Sequence, residues 1–160
     1  NCIGVTGAPF DSFLTLRGLR TLHARMRAHG ENAQRIAELL TRHPAVGRVY
    51  YPGLASHPGH DIAQRQQRGF GAMVSFELVG GVENVKALLG GMELFSLAES
   101  LGGVESLIAH PASMTHAAMD EAARERAGIS ATLVRLSIGI EEGDDLARDL
   151  TSGLDAAGRV

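Results

Sequence analysis

Three groups of residues in this chain are of types that do chemistry. The first is Glu99-Ser100, followed by Gly102-Gly103, set between two short apolar runs, Leu94–Ala98 and Ser106–His110. A carboxylate and a hydroxyl beside paired glycines, just past a strand-length run, suit the close approach of polar groups and backbone to a ligand. A tight, solvated turn accounts for the same residues, because glycine-bearing turns are common. The second is Arg135, mid-way along Leu133–Ile140, where Val134, Leu136, Ile138 and Ile140 alternate with Leu133, Arg135, Ser137 and Gly139. A guanidinium in the middle of such a strand is rarely buried alone, so it must meet a carboxylate, from the protein or from a ligand. The third is the stretch after His110-Pro111, where Ser113, Thr115 and His116 lie close together. A hydroxyl near an imidazole suggests a nucleophile and base, but no orienting carboxylate or oxyanion turn accompanies them, and polar loop residues are ordinary. His57 and His60 have Pro58 between them and no further Cys or His at zinc spacing, so no metal is expected.

These groups need elements to hold them. Asp11 reads as the N-cap of a helix carrying Phe13, Leu16, Leu19, Leu22 and Met26 at threefold spacing, with Gly18 and Gly30 as places for a bend or for close packing. Ala33, Ile36, Ala37 and Leu40 continue the helical pattern on one face until Pro44 approaches. Val46–Tyr51 reads as a strand closed by Pro52-Gly53, and Asp61–Arg68 as a short polar helix. Gly69–Val79 alternates cleanly, with Phe70, Ala72, Val74, Phe76 and Leu78 on one face. A helix over Val82–Leu89 follows, ended by Gly90-Gly91, and then the Leu94–Ala98 and Ser106–His110 runs, expected to pair through a tight connection with special φ angles. Met119–Ala127 reads as a charged helix, Leu133–Ile140 as the last strand, and Asp144–Leu154 as a last helix whose early acids match its dipole. Strands joined partly by helices and partly by short links predict an α+β domain, a largely antiparallel sheet with helices packed on one face.

The bulk properties narrow the function. At 160 residues the chain is one domain in size, and its net charge of −3 is spread without a basic stripe, which argues against a nucleic-acid partner. No apolar run approaches the ~20 residues of a membrane span, and Cys2 is the single cysteine, so a reducing, cytoplasmic setting is expected. The chain starts at Asn1 and runs straight into apolar residues, which reads as a piece of a longer protein. No GxGxxG or phosphate loop is present in a strand-turn-helix context.

The run Leu94-Phe-Ser-Leu-Ala-Glu-Ser-Leu-Gly-Gly-Val-Glu-Ser-Leu-Ile108 resembles the C-terminal part of the cystathionine γ-synthase/lyase group, the pyridoxal-phosphate enzymes of Cys and Met metabolism. Phe10–Leu22, Gly69–Leu78, Met114-Thr-His116 and Leu133–Glu141 resemble the same group, in the same order along the whole chain. Ile3–Gly7, the GFGAMVSFEL run and Gly90–Leu97 are most similar to its bacterial synthases. The resemblance implies the small C-terminal domain (31–160) of a fold-type-I pyridoxal-phosphate enzyme, preceded by a linker and long interdomain helix (1–30), with the large cofactor domain upstream. It implies a γ-replacement in methionine biosynthesis that joins an O-acyl-L-homoserine, such as O-succinylhomoserine, to L-cysteine. Sister γ- and β-lyases and an O-succinylhomoserine sulfhydrylase share most of the motifs.

By the same resemblance, Arg135 clamps the substrate α-carboxylate, a role that suits the guanidinium fork. Ser100 stands near the cofactor as the catalytic hydroxyl, Glu99 selects amino-acid substrates at the mouth, and Leu101 lines the substrate site. The family's cofactor lysine lies in a Ser/Thr-rich segment that this chain lacks. Lys86, its one lysine, has no matching motif and reads as a solvated surface residue. The Schiff-base lysine and phosphate ligands are therefore expected upstream of Asn1, and the 160 residues alone are expected to be inactive. The expected partners are the protein's own N-terminal domain and further copies in a homotetramer. Ile3, Val5, Pro9, Phe10 and the apolar side of the Asp11–Met26 helix should then form an exposed docking patch. A non-catalytic scaffold that has shed its cofactor domain is the rival from another class, decided by whether a lysine segment precedes Asn1.

Overall fold

The structure is a computed structural model, and it describes residues 6–160. Six helices and five strands follow in the order α1 (Pro9–Arg20), α2 (Leu22–Leu40), β1 (Val46–Tyr50), α3 (His60–Gln66), β2 (Met73–Leu78), α4 (Val82–Gly90), β3 (Ser96–Leu97), β4 (Leu107–Ala109), α5 (Glu121–Arg126), β5 (Leu133–Ser137) and α6 (Gly143–Ala157). The strands form one sheet in the order β1-β2-β5-β4-β3. All neighbours are antiparallel except β3 and β4.

The alternation of the two long central strands decides which face is covered. Val74, Phe76 and Leu78 of β2 and Val134 and Leu136 of β5 point to the same side and are buried. Against them pack Ala33, Ile36, Ala37 and Leu40 of α2, Val85 and Leu88 of α4, and Leu146, Leu150, Leu154 and Ala157 of α6. Each helix presents these residues at three- and four-residue spacing, so a single apolar stripe meets the sheet. The crossing of α4 and α6 is close at Gly153, where a Cβ would stand 3.0 Å from the Leu88 carbonyl oxygen. The opposite face carries Arg48, Tyr50, Ser75, Glu77, Arg135 and Ser137, and it is the polar face of the sheet.

The N-terminal arm differs from expectation in two details. Ala8, not Asp11, is the N-cap, because Pro9 occupies the first helical position, where its missing N–H costs nothing. The break falls at Thr21 (φ −104°, ψ 0°), not at Gly18 or Gly30. The Gly18 carbonyl there accepts from the Thr21 N–H, at 3.3 Å, and from the Arg25 side chain, at 2.8 Å, so it stays satisfied. Helix α2 then runs without interruption through Gly30, and its burial begins at His29. Helix α1 has no buried residue; Phe10 is 67%, Phe13 57% and Leu16 61% exposed. Ile3 and Val5, expected on the same patch, and Cys2 lie outside the described residues.

The second correction concerns Leu94–Ala98 and Ser106–His110. They do not form a hairpin: β3 and β4 run parallel, Ser96 opposite Leu107 and Leu97 opposite Ile108. A tight turn reverses the chain and can join only antiparallel neighbours, so a parallel pair needs a connection that returns to the starting end. Nine residues, 98–106, make that return. The special φ angle is present, at Gly102 (φ +78°), but it serves this crossover and not a hairpin.

Candidate functional site: an arginine under a crossover loop

Strand β5 places Arg135 in the middle of the sheet, opposite Ser75 on β2 and Ala109 on β4. Both neighbours are small, which leaves the guanidinium free to rise from the polar face. It meets the returning crossover. The Arg135 Nη2 donates to the Ser100 carbonyl at 3.0 Å and to the Glu99 carbonyl at 3.5 Å. Arg135 Nε is buried and has no hydrogen-bond partner. Among the described residues the ion pairs are Arg35–Asp144, Arg42–Glu38, His43–Asp155, Lys86–Glu83 and Arg148–Asp145, and none includes Arg135. Glu77, the acid on the same face of β2, is opposite Leu133 and accepts instead from the Tyr50 hydroxyl at 2.9 Å.

A buried guanidinium N–H without an acceptor is costly, and the group that satisfies it best is a carboxylate taken edge-on. Two carbonyl oxygens hold Nη2, while Nε is enclosed without a partner. No internal carboxylate among the described residues meets Arg135, and its partners there are backbone carbonyls.

The crossover is laid along β5 residue by residue. The Gly102 N–H donates to Ser137 Oγ at 2.9 Å, and the Ile140 N–H donates to the Val104 carbonyl at 2.9 Å. Glu141 closes the far end, accepting from the Ser106 N–H at 2.6 Å and from the Ser106 hydroxyl at 2.9 Å. Ser106 Oγ in turn accepts from the Gly139 N–H at 2.8 Å. The other end is gripped from behind. Asp149 of α6, 9% exposed, accepts from the backbone N–H groups of Glu93, Leu94 and Phe95, just before β3.

The structure thus brings Arg135 together with the Glu99-Ser100-Leu101 segment, but through backbone carbonyls. The side chains of Glu99, Ser100 and Leu101 are exposed. Ser137, Ser106, Glu141 and Asp149 are not among the site residues that the sequence singles out. Asp144 and Asp145 do stand in the first turn of α6, whereas Glu141 turns back to the loop. The signal available for Ser137 was a hydroxyl on an otherwise apolar strand, two residues from Arg135.

The other candidate groups are engaged structurally. His110, 5% exposed, contacts the Ala131 carbonyl through Nε2 at 3.0 Å and the Ser113 hydroxyl through Nδ1 at 2.7 Å. With Nε2 donating to the carbonyl, the neutral ring accepts from Ser113, and His110 ties two loop segments together. His116 pairs with Thr115 at 2.7 Å. His57 accepts from the Gly59 N–H, and His60 bonds the Pro52 carbonyl and stacks on Phe70. Burial pushes the Tyr51 hydroxyl up to about 12, and burial, then the bond to Glu77, raises that of Tyr50.

The profile of the Cys/Met metabolism PLP-dependent enzymes matches residues 1–155. The chain belongs to that family. It is 57% identical over 159 residues to the cystathionine gamma-synthase of Escherichia coli (strain K12), covering 99% of this chain and 41% of that protein. It is 55% identical over 154 residues to the cystathionine beta-lyase of Coxiella burnetii, covering 96% of this chain and 40% of that protein. A crystal structure of cystathionine gamma synthase from Xanthomonas oryzae pv. oryzae, in complex with aminoacrylate and cysteine, matches with TM-score 0.92 and 65% identity. That match covers 99% of this chain and 41% of the other. The chain therefore spans about two-fifths of the length of the relatives it matches.

Membership of this family implies pyridoxal phosphate. The described residues do not fit its covalent attachment. Lys86 is exposed on α4 and bonded to Glu83 at 2.7 Å, far in character from a desolvated amine.

Proposed function

We propose that this chain forms the carboxylate-binding side of the active site in a pyridoxal-phosphate enzyme that makes cystathionine from O-succinyl-L-homoserine and L-cysteine by γ-replacement, within methionine biosynthesis. One observation carries the reading: Arg135 has a buried, unbonded Nε, no carboxylate within ion-pair distance among the described residues, and a neighbouring loop that holds only its outer nitrogen. Arg135 takes the α-carboxylate and fixes the orientation of the substrate's Cα. Ser100 stands at the reacting end as a hydroxyl able to hold a proton, Glu99 screens substrates at the rim, and Leu101 supplies an apolar wall. Pyridoxal phosphate, when bound by the rest of the protein, supplies the electron sink for the chemistry at Cα and Cβ. The similarity to cystathionine gamma-synthases at 57% and 65% identity supports the synthase over the lyase reading, for which the beta-lyase relative at 55% speaks.

The remaining parts of the proposal concern the whole protein. The exposed apolar side of α1 packs against the cofactor-bearing domain, making residues 1–30 the interdomain arm and 31–160 the small domain. The assembled enzyme is a cytoplasmic homotetramer. No helix among the described residues is long and apolar enough to cross a membrane, which suits that setting.

The test uses the full-length protein. Arg135→Ala removes two charge-assisted bonds worth about 1.5–3 kcal/mol each, so kcat/KM for the amino-acid substrate should fall on the order of 100-fold or more. A fall of less than threefold overturns the carboxylate assignment. Cystathionine formed from O-succinylhomoserine and cysteine, in excess over cystathionine broken down, is the outcome expected of a synthase.

A further inference from the structure

Ser137 is a hydroxyl where its strand otherwise buries carbon. It is 1% exposed, and its cross-strand neighbours are Met73 on β2 and Leu107 on β4. A hydroxyl enclosed in this way is unfavourable unless bonded, and its partner is the Gly102 N–H at 2.9 Å. Gly102, at φ +78°, holds a conformation that aims this N–H down at the sheet. Ser137 stands two residues beyond Arg135 on the same face of β5, and Gly102 stands two residues beyond Ser100 on the loop. The two contacts, Arg135 to the Ser100 carbonyl and Gly102 to Ser137, are successive rungs joining the same two segments.

The rungs differ in chemistry. Arg135 is a long, jointed side chain that follows the loop wherever it moves. Serine has a single rotatable bond to its oxygen, and Met73 and Leu107 wall it in, so its rung has a fixed height. We propose that Ser137 is a positioning residue for the carboxylate site: its enclosed hydroxyl sets how close the Glu99–Gly102 segment lies over the Arg135 guanidinium. The role rests on the carboxylate reading of Arg135. Without this rung the Ser100 carbonyl is free to settle onto Nε or to lift away, and either movement spoils the opening that an α-carboxylate needs. The loop's far end stays tied through Val104–Ile140 and Ser106–Glu141, so the fold itself does not depend on Ser137.

The experiment compares Ser137→Ala, Ser137→Thr and Arg135→Lys in the full-length holoenzyme, measured with O-succinyl-L-homoserine plus cysteine and, separately, with cystathionine. Ser137→Ala should raise KM for the amino-acid substrate about tenfold and leave kcat within about threefold, matching loss of one buried hydrogen bond. Ser137→Thr keeps the hydroxyl and should restore KM to within about threefold of the parent, a rescue that a purely structural role does not predict. If Arg135→Lys raises KM and Ser137→Ala does not, the positioning role is wrong and the carboxylate site stands. If Arg135→Lys leaves KM unchanged, the carboxylate reading fails and the role of Ser137 falls with it. Should Ser137→Ala fail to fold, Ser137→Cys keeps the volume with a much weaker acceptor and carries the same comparison.

Discussion

Asp149→Ala should be among the most damaging single substitutions in this domain. The carboxylate is 9% exposed and accepts from Glu93 N at 2.8 Å, Leu94 N at 2.9 Å and Phe95 N at 3.2 Å. Removing it leaves three consecutive backbone donors facing the side of α6, in a stretch whose next residues are β3 and the crossover. A hydrogen bond to a charged group contributes about 1.5–3 kcal/mol, and an orphaned buried donor costs about 1–3 kcal/mol. The Phe95 amide is the buried member of the trio, whereas the amides of Glu93 and Leu94 are nearer to solvent and regain part of their loss from water. The expected destabilisation is therefore about 3–5 kcal/mol, with Asp149→Asn in between, because its amide presents one acceptor and one donor to three donors. Urea denaturation of the parent and both variants, fitted with a common slope, reads this directly. Hydrogen exchange should show the loss of protection concentrated at residues 93–97. A cost below 1 kcal/mol for Asp149→Ala, or protection lost elsewhere, refutes the claim that this carboxylate anchors the entry to the loop.

Other outcomes follow from the same geometry. Gly139→Ala places a Cβ 2.7 Å from the Glu105 carbonyl carbon and against the Val104 carbonyl, so the loop must shift; a stability cost of about 1–3 kcal/mol and a raised KM are expected, checked by denaturation and steady-state kinetics. Tyr51 is 1% exposed and its hydroxyl is pushed from 10.0 up to about 12, so the folded state disfavours ionisation. That contribution is intact below pH 10 and is lost as pH rises from 10 to 12, about 2–3 kcal/mol in all, and Tyr51→Phe should flatten this part of the pH–stability curve relative to the parent. Lys86→Ala in the full-length enzyme should leave the cofactor absorbance band and activity unchanged, since Lys86 is solvated and paired with Glu83; loss of the band would place the cofactor lysine here after all.

The periodic parts of this protein were readable from its residues alone. Val74, Phe76 and Leu78 alternate, as do Val134 and Leu136, and both sets are buried where the alternation puts them. Burial on one face imposes a two-residue rhythm that neighbours along the chain carry, as a helix imposes its own rhythm on Ile36, Ala37 and Leu40. The resemblance of Leu94–Ile108, and of the other matching runs, likewise points to the family that the profile match bears out. Arg135 stood out for an equally local reason: a charge on an apolar strand demands a partner.

Which partner it has, and what surrounds it, were decided only in three dimensions. The Leu94–Ala98 and Ser106–His110 runs are compatible with either a hairpin or a parallel pair, and nothing in their residues separates the two. The choice is made by β4 pairing with β5 and by the bonds that draw the crossover onto Arg135, Ser137 and Glu141, some 35 residues further along the chain. Asp149 reaches 54 to 56 residues back to hold Glu93–Phe95. Such contacts join groups whose local sequence is unremarked, because a buried hydroxyl or carboxylate is stabilised by what the fold brings to it and not by its neighbours in the chain.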